Sequence, residues 1–178
     1  MNHFSFKLPT TIEDHKFLVN LHNDPLVLKN ITNPKPITLA DHQDWWMHIV
    51  ANQHIQQRFM FLIDSVPAGF VKFYDIDQTN KNCVLGADLH KDFRGRGFAK
   101  FMWKMMLEHC FSEEKLNLHR VSLTTASFNT VAQKVYFNLG FIEEGRKVDS
   151  LFRDNVFYDE ICLYILKEKW ENESRTNA

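Results

Sequence analysis

Cysteine is scarce in this chain. Cys83, Cys110 and Cys162 are odd in number and widely spaced, which excludes a disulfide framework of the kind small secreted domains use. Each falls in an apolar strand or helix pattern, where a buried free thiol is expected. A reducing cytoplasmic compartment is the natural setting. The nine histidines are scattered, and no His-x-x-x-His or Cys-x-x-Cys pair exists. A zinc site therefore has no starting point, and no metal is expected. No apolar run approaches the ~18 residues needed to span a bilayer. The opening Met-Asn-His-Phe-Ser-Phe lacks a basic region followed by an apolar stretch, so no secretory leader is expected. An excess of one charge is missing too. The net charge is −1 and the basic residues are dispersed, so neither nucleic acid nor an anionic membrane is an expected partner. Repeats, low-complexity tracts and interdomain linkers are also absent.

What is present suits one packed domain. The chain has 178 residues, 44% hydrophobic and 13% aromatic, enough for a full core. A first strand is expected at His3 to Leu8. Thr10 or Thr11 then caps a helix carrying Ile12, Phe17, Leu18 and Leu21. Asn33-Pro34-Lys35-Pro36 breaks the chain, and Thr38-x-x-Asp41 opens a second helix through Trp45, Trp46, Ile49 and Val50. Arg58 to Asp64 and Ala68 to Tyr74 read as paired strands turned at Ser65-Val66-Pro67. Asp77 to Asn82 is a polar turn into a strand at Cys83 to His90. A long helix follows at about Phe98 to Phe111. Val121 to Thr125 reads as a strand and Asn129 to Asn138 as a short helix ended by Gly140. Asp154-Asn155 suits a hairpin turn between strands near Arg146 to Phe152 and Val156 to Leu166. The expected fold class is mixed α/β over residues 1–170, with 171–178 as a frayed polar tail.

The most informative stretch is Phe93-Arg94-Gly95-Arg96-Gly97-Phe98-Ala99-Lys100, between a strand and a helix N-terminus. Glycines admit close backbone approach, several N–H groups point outward, and the helix dipole adds positive potential. Arg94 and Arg96 add full charges, so the chemistry reads as phosphate or pyrophosphate binding. A P-loop would need a Gly-Lys-Ser/Thr ending, and a dinucleotide fingerprint a third glycine where Lys100 stands. Both are excluded.

Arg94-Gly95-Arg96-Gly97-Phe98-Ala99 resembles the Arg/Gln-x-x-Gly-x-Gly/Ala loop of the GNAT superfamily of N-acetyltransferases. Asn129-Thr130-Val131-Ala132-Gln133-Lys134-Val135-Tyr136-Phe137-Asn138-Leu139-Gly140-Phe141 resembles the family's Asn-x-x-Ala-x-x-x-Tyr-x-x-x-Gly-Phe signature. The tail Glu143-Glu144-Gly145-Arg146, Phe152-Arg153-Asp154-Asn155, Tyr158-Asp159 is similar to the ribosomal-protein alanine acetyltransferase branch and its polyamine and nucleotide-amino-sugar relatives. The resemblance covers roughly residues 5–170. It implies a mostly antiparallel sheet flanked by helices, splayed between the strands near 83–90 and 118–125 to admit the pantetheine arm. It also implies acetyl-CoA as co-substrate, with Leu89, Arg94, Gly95, Arg96, Gly97, Phe98, Ala99 and Asn129 as the residues that bind it.

Acetyl transfer to an amine needs a held thioester, a deprotonated amine, a polarised carbonyl and a proton for the departing thiolate. By match to the family tyrosine, Tyr136 is the expected proton donor. Asn129 has two competing roles, contact with the CoA arm and capping of its own helix. The expected base is missing: many relatives carry Glu-Leu-Gly where Val84-Leu85-Gly86 stands. Strand alternation puts Val84, Gly86, Asp88 and His90 on one face, so Asp88 or His90 is the replacement, unless the amine loses its proton to solvent. His42, Trp45 and Trp46 on the second helix, with Phe152 and Tyr158 opposite, are the expected acceptor walls. The stretch Pro36 to Trp46 looks closest to relatives that acetylate nucleotide-linked amino sugars. A polyamine site should display several carboxylates, and residues 23–60 offer Asp24, Asp41 and Asp44. The first expectation is thus a nucleotide-linked amino sugar. The alternatives are a polyamine, a protein N-terminus, and a CoA-binding module without catalysis. A homodimer is left open.

Overall fold

In the computed structural model, residues 2–176 are described. They form two compact units, one comprising residues up to Ile76 with Leu85–Trp103, the other Asp77–Val84 with residues from Lys104 onward.

The first unit opens with β1 (Phe4–Lys7) and α1 (Ile12–His22). Thr11 caps α1, and Asp14 closes the reciprocal capping box. A short helix, α2 (Pro25–Asn30), follows, capped by Asp24 with proline at its first turn. After the Pro34/Pro36 break comes α3 (Leu39–Ala51), with the expected capping box of Thr38 and Asp41. The strands β2 (Gln57–Ile63) and β3 (Val66–Asp77) pair antiparallel, and β2 also pairs antiparallel with β1. The turn between β2 and β3 lies at Asp64-Ser65, both at positive φ (50° and 67°), not at Ser65-Val66-Pro67. Two left-handed residues match the twist of a tight hairpin. Val66 and Pro67 therefore belong to β3, where a register shift at Phe61/Leu62 accommodates them. The unit's core is built from Met60, Phe61, Val71 and Phe73 under Leu21 and Ile49.

The strand β4 (Asn82–Leu89) begins in the second unit and ends in the first. Gly69 permits the close approach of β4 to β3, because a Cβ there would stand 2.6 Å from the Asp88 carbonyl. His90 lies just past the strand and caps a single 3₁₀ turn, Lys91–Phe93. The helix α4 (Phe98–Phe111) has the expected bounds.

In the second unit β4 pairs in parallel with β5 (Arg120–Ala126) over Asn82–Val84, three of the eight residues of β4. β5 pairs antiparallel with β7 (Val156–Leu166), and β7 with β6 (Ile142–Arg153), around the hairpin turn at Asp154-Asn155. The helix α5 (Thr130–Phe137) is capped by Asn129. Leu107, Val121, Leu123, Leu163 and Ile165 form the core here. The fold class is mixed α/β with mostly antiparallel strands, as expected. A final helix, α6 (Lys167–Thr176), takes in residues 171–176, which were expected to fray. Its Lys and Glu residues favour helix, and Lys167 stands 3.9 Å from Glu171 one turn on. Residues 177 and 178 of that tail lie outside the described residues.

Candidate active site

The loop between the 3₁₀ turn and α4 has the backbone an anion site requires. Gly95 and Gly97 stand at φ 72° and 80°, where a side chain is strained. A Cβ on either would meet no atom within 4 Å, so the space above them is open to a ligand. α4 begins at Phe98, and the Lys100 N–H in its first turn already donates to the Gly97 carbonyl at 3.2 Å, which leaves those of Phe98 and Ala99 as the first-turn donors for an anion.

The two loop arginines part company. Arg94 Nε donates to the Leu89 carbonyl at 2.8 Å, and Nη2 to Asp24 Oδ1 at 3.0 Å. Arg94 is thus a strut that ties the end of β4 to the cap of α2. Burial alone would raise the Asp24 carboxyl, but the Arg94 bond and the N–H of Val27 hold it below the ordinary value. Arg96 is exposed, its guanidinium 5.0 Å from the centre of the Phe98 ring. Of the two, Arg96 is placed to meet a solvent-borne phosphate. Leu89 takes part through its carbonyl, and Phe98 and Ala99 open the helix, half-buried.

Asp88 is paired. Lys72 Nζ donates to its Oδ2 at 2.6 Å, and Lys72 also lies 5.8 Å from the centre of the Phe70 ring. Gly86 makes the neighbouring space, since a Cβ there would lie 3.4 Å from Lys72 and 3.6 Å from Tyr74. Lys72 and Tyr74 escaped the sequence reading because their strand is defined by apolar residues. Only the placing of β3 beside β4 brings Lys72 to Asp88 and Tyr74 to Gly86. His90 Nδ1 lies 3.4 Å from the Asp92 amide and 3.6 Å from its carboxylate, and the ring packs 5.7 Å from Phe17. These contacts give it a local role in shaping the turn.

The helical layer departs from the expected open wall. His42 is 3% exposed and Trp46 9%, both inside the layer formed by α1 and α3. Trp45 is the exposed member, at 39%. His42 Nε2 lies 3.1 Å from His15 Nδ1. Burial, with the neighbouring His15 and His22, lowers the His42 pKa to about 4. His42 is therefore a neutral core histidine.

In the second unit, Asn129 Oδ1 accepts from the Ala132 amide at 3.3 Å. Capping thus occupies the oxygen for which two roles competed. Tyr136 is buried on α5, edge-on to Phe141 with centroids 5.9 Å apart. Phe152 is exposed and lies 4.7 Å from Phe157, while Tyr158 packs edge-on to Phe128 at 4.8 Å. Among the described residues no cluster of three or more His, Cys, Asp or Glu could hold a metal ion, and no helix is long and apolar enough to cross a membrane.

A strand-to-helix glycine loop followed along the chain by the Asn129–Phe141 motif is the pattern of a CoA-dependent acyltransferase. The acetyltransferase (GNAT) domain family matches residues 8–142, and the chain belongs to it. It is accordingly an N-acetyltransferase with acetyl-CoA as co-substrate. A spermidine N(1)-acetyltransferase of Vibrio cholerae serotype O1 (strain ATCC 39315 / El Tor Inaba N16961) is 30% identical over 169 residues, covering 90% of this chain and 92% of that protein. A provisional ribosomal N-acetyltransferase of Bacillus subtilis (strain 168), YdaF, is 30% identical over 112 residues; the match spans 63% of this chain but only 60% of that relative. The crystal structure of a V. cholerae spermidine N-acetyltransferase with CoA and spermine superposes with a TM-score of 0.87 at 23% identity, over 95% of this chain and 98% of that one. The shared architecture is thus established over nearly the whole length.

Proposed function

We propose that this N-acetyltransferase, working as one catalytic domain over residues 1–170, acetylates a primary amine of a polyamine. The observation that carries the acceptor is the 30% identity to a spermidine N(1)-acetyltransferase over 90% of the chain. This reverses the order expected from the sequence, in which a nucleotide-linked amino sugar came first. That ranking leaned on Trp45 and Trp46 as a joint stacking wall, and Trp46 is buried. It also leaned on the scarcity of carboxylates in residues 23–60. The first unit has further exposed carboxylates outside that window, Asp75 among them.

The roles follow from the chemistry of the groups. Bound acetyl-CoA supplies an activated acyl carbon. The N–H groups from Gly95 to Ala99 hold the pyrophosphate, with Arg96 adding charge, and Asn129, its oxygen engaged in capping, contributes its amide nitrogen to the CoA arm. The incoming amine must shed a proton, and Asp88 takes it at Oδ1, the oxygen not bonded to Lys72. The departing sulfur must gain a proton, and Tyr136 Oη supplies it. His90 holds the turn beneath the loop. Self-association is proposed as well, since a V. cholerae spermidine N-acetyltransferase of the same fold is a dodecamer; sedimentation of the purified chain tests it.

Mass analysis of spermidine incubated with the protein and acetyl-CoA tests the acceptor. Mono-acetylated spermidine is the expected product. Unchanged spermidine beside an acetylated N-terminal peptide would move the assignment to a protein acceptor, the reading that YdaF favours.

A further inference from the structure

A cleft of about 230 Å³ opens in the first unit, lined by Leu8, Trp46, Ile49, Gln53, Arg58 and Phe59. Its walls are mostly apolar, yet it contains a buried cation. Arg58 is 8% exposed, and no carboxylate lies within ion-pair distance of it among the described residues. Its hydrogen bonds are one-sided. Nη1 donates to the carbonyls of Gln57 and Phe73 at 3.1 and 2.6 Å. Nη2 has a long contact with Gln56 Oε1, at 3.4 Å, and Nε is buried with no partner. Buried guanidinium groups are ordinarily paired, because an uncompensated cation in a dry site is costly. The Tyr74 ring covers one face of the guanidinium, its centre 5.4 Å from Cζ, and burial pushes the Arg58 pKa down to about 10, opposed by Tyr74 and Asp75.

We propose that this cleft binds a small monocarboxylate with an apolar body. The carboxylate takes the Nε/Nη2 edge of Arg58, displacing the Gln56 amide. That edge offers two parallel N–H donors, the geometry in which arginine binds carboxylates bidentately. The apolar body packs on Trp46, Ile49, Phe59 and Leu8. The volume lies below the ~300–1,000 Å³ of pockets for drug-sized ligands, which fits a small organic acid and excludes a nucleotide. A guanidinium repels a polyammonium chain, so the cleft is not the seat of a polyamine acceptor. The site is a second one, and the proposal stands whichever amine is acetylated.

Calorimetric titration of the full chain with phenylacetate tests it, with phenylacetamide as the neutral isostere. Phenylacetate should bind saturably, at least tenfold more tightly than the amide. Arg58→Met should weaken phenylacetate at least tenfold and leave the amide unchanged. Because removing a buried side chain can impair folding, Gln53→Trp provides a second variant. It fills the mouth of the cleft from an exposed position and should block both probes. Equal affinity for the two probes, no saturable binding, or unchanged phenylacetate binding in Gln53→Trp would overturn the proposal.

Discussion

The loop from Arg94 to Ala99 and the helical layer of α1 and α3 lie in the same compact unit, yet they present their chemistry in opposite ways. The loop works through its backbone. Its glycines carry positive φ with open space where a side chain would stand, so its chemistry follows from consecutive residues. In the helical layer the side chains that look reactive are turned inward. His42 and Trp46 are buried, and His42 meets a histidine 27 positions away. A site made of backbone is readable from a short motif. A site made of side chains depends on which face of each helix the core claims.

A reference point outside both regions sets the scale. Tyr136→Phe should lower turnover by about 10²-fold, the range of general acid catalysis, with little change in the acetyl-CoA KM. Steady-state kinetics at saturating amine checks this. Full turnover would return Tyr136 to a packing role.

The buried layer should reveal itself through pH. His42 has a folded pKa of about 4 against an ordinary value near ~6.5. The unfolded chain therefore binds the extra proton first. Stability from the neutral imidazole is fully present above pH ~6.5 and is lost as pH falls toward about 4. Replacing it by His42→Phe should remove up to about 3 kcal/mol of that dependence. Denaturant unfolding of both proteins between pH ~7 and ~4 measures it. His109, also lowered to about 4 by burial, contributes equally to both and cancels in the difference. An unchanged slope would mean that His42 is solvated and the layer is open.

The two loop arginines sharpen the contrast within six residues. Arg94→Ala should cost about 1–3 kcal/mol of stability, the worth of hydrogen bonds to charged groups, seen as a lower Tm. Arg96→Ala should leave Tm unchanged and raise the acetyl-CoA KM a few-fold, by ~1 kcal/mol or less for an exposed contact. Exchanged outcomes would reverse their assignment. Gly97→Val should raise the acetyl-CoA KM by about tenfold, since a β-branched residue at positive φ costs ~1–2 kcal/mol.

Much of the fold was legible because its signals are local. Both capping boxes, the bounds of α4 and the hairpin turn at Asp154-Asn155 are written in adjacent residues. α2 escaped because six residues between Asp24 and the prolines give too little periodicity to read. The glycine loop and its strand-to-helix setting were legible for the same reason as α4. The commitment of Arg94 was not, because its partner Asp24 stands 70 positions away. Nor could Lys72 be matched to Asp88 without the register of β3 and β4. Arg58 reads as a polar start to an apolar strand, and only packing shows its guanidinium buried with Nε unpartnered.

The central claim is that the Arg94–Ala99 loop serves an acetyltransferase whose acceptor is a polyamine. The most direct measurement is kcat/KM, by CoA release at saturating acetyl-CoA, for spermidine, a nucleotide-linked amino sugar and an N-terminal peptide compared side by side. The account predicts the highest value for spermidine, by at least an order of magnitude. Efficient turnover of the sugar or the peptide with none of spermidine would contradict it, and CoA binding without turnover of any amine would leave a binding module in place of an enzyme.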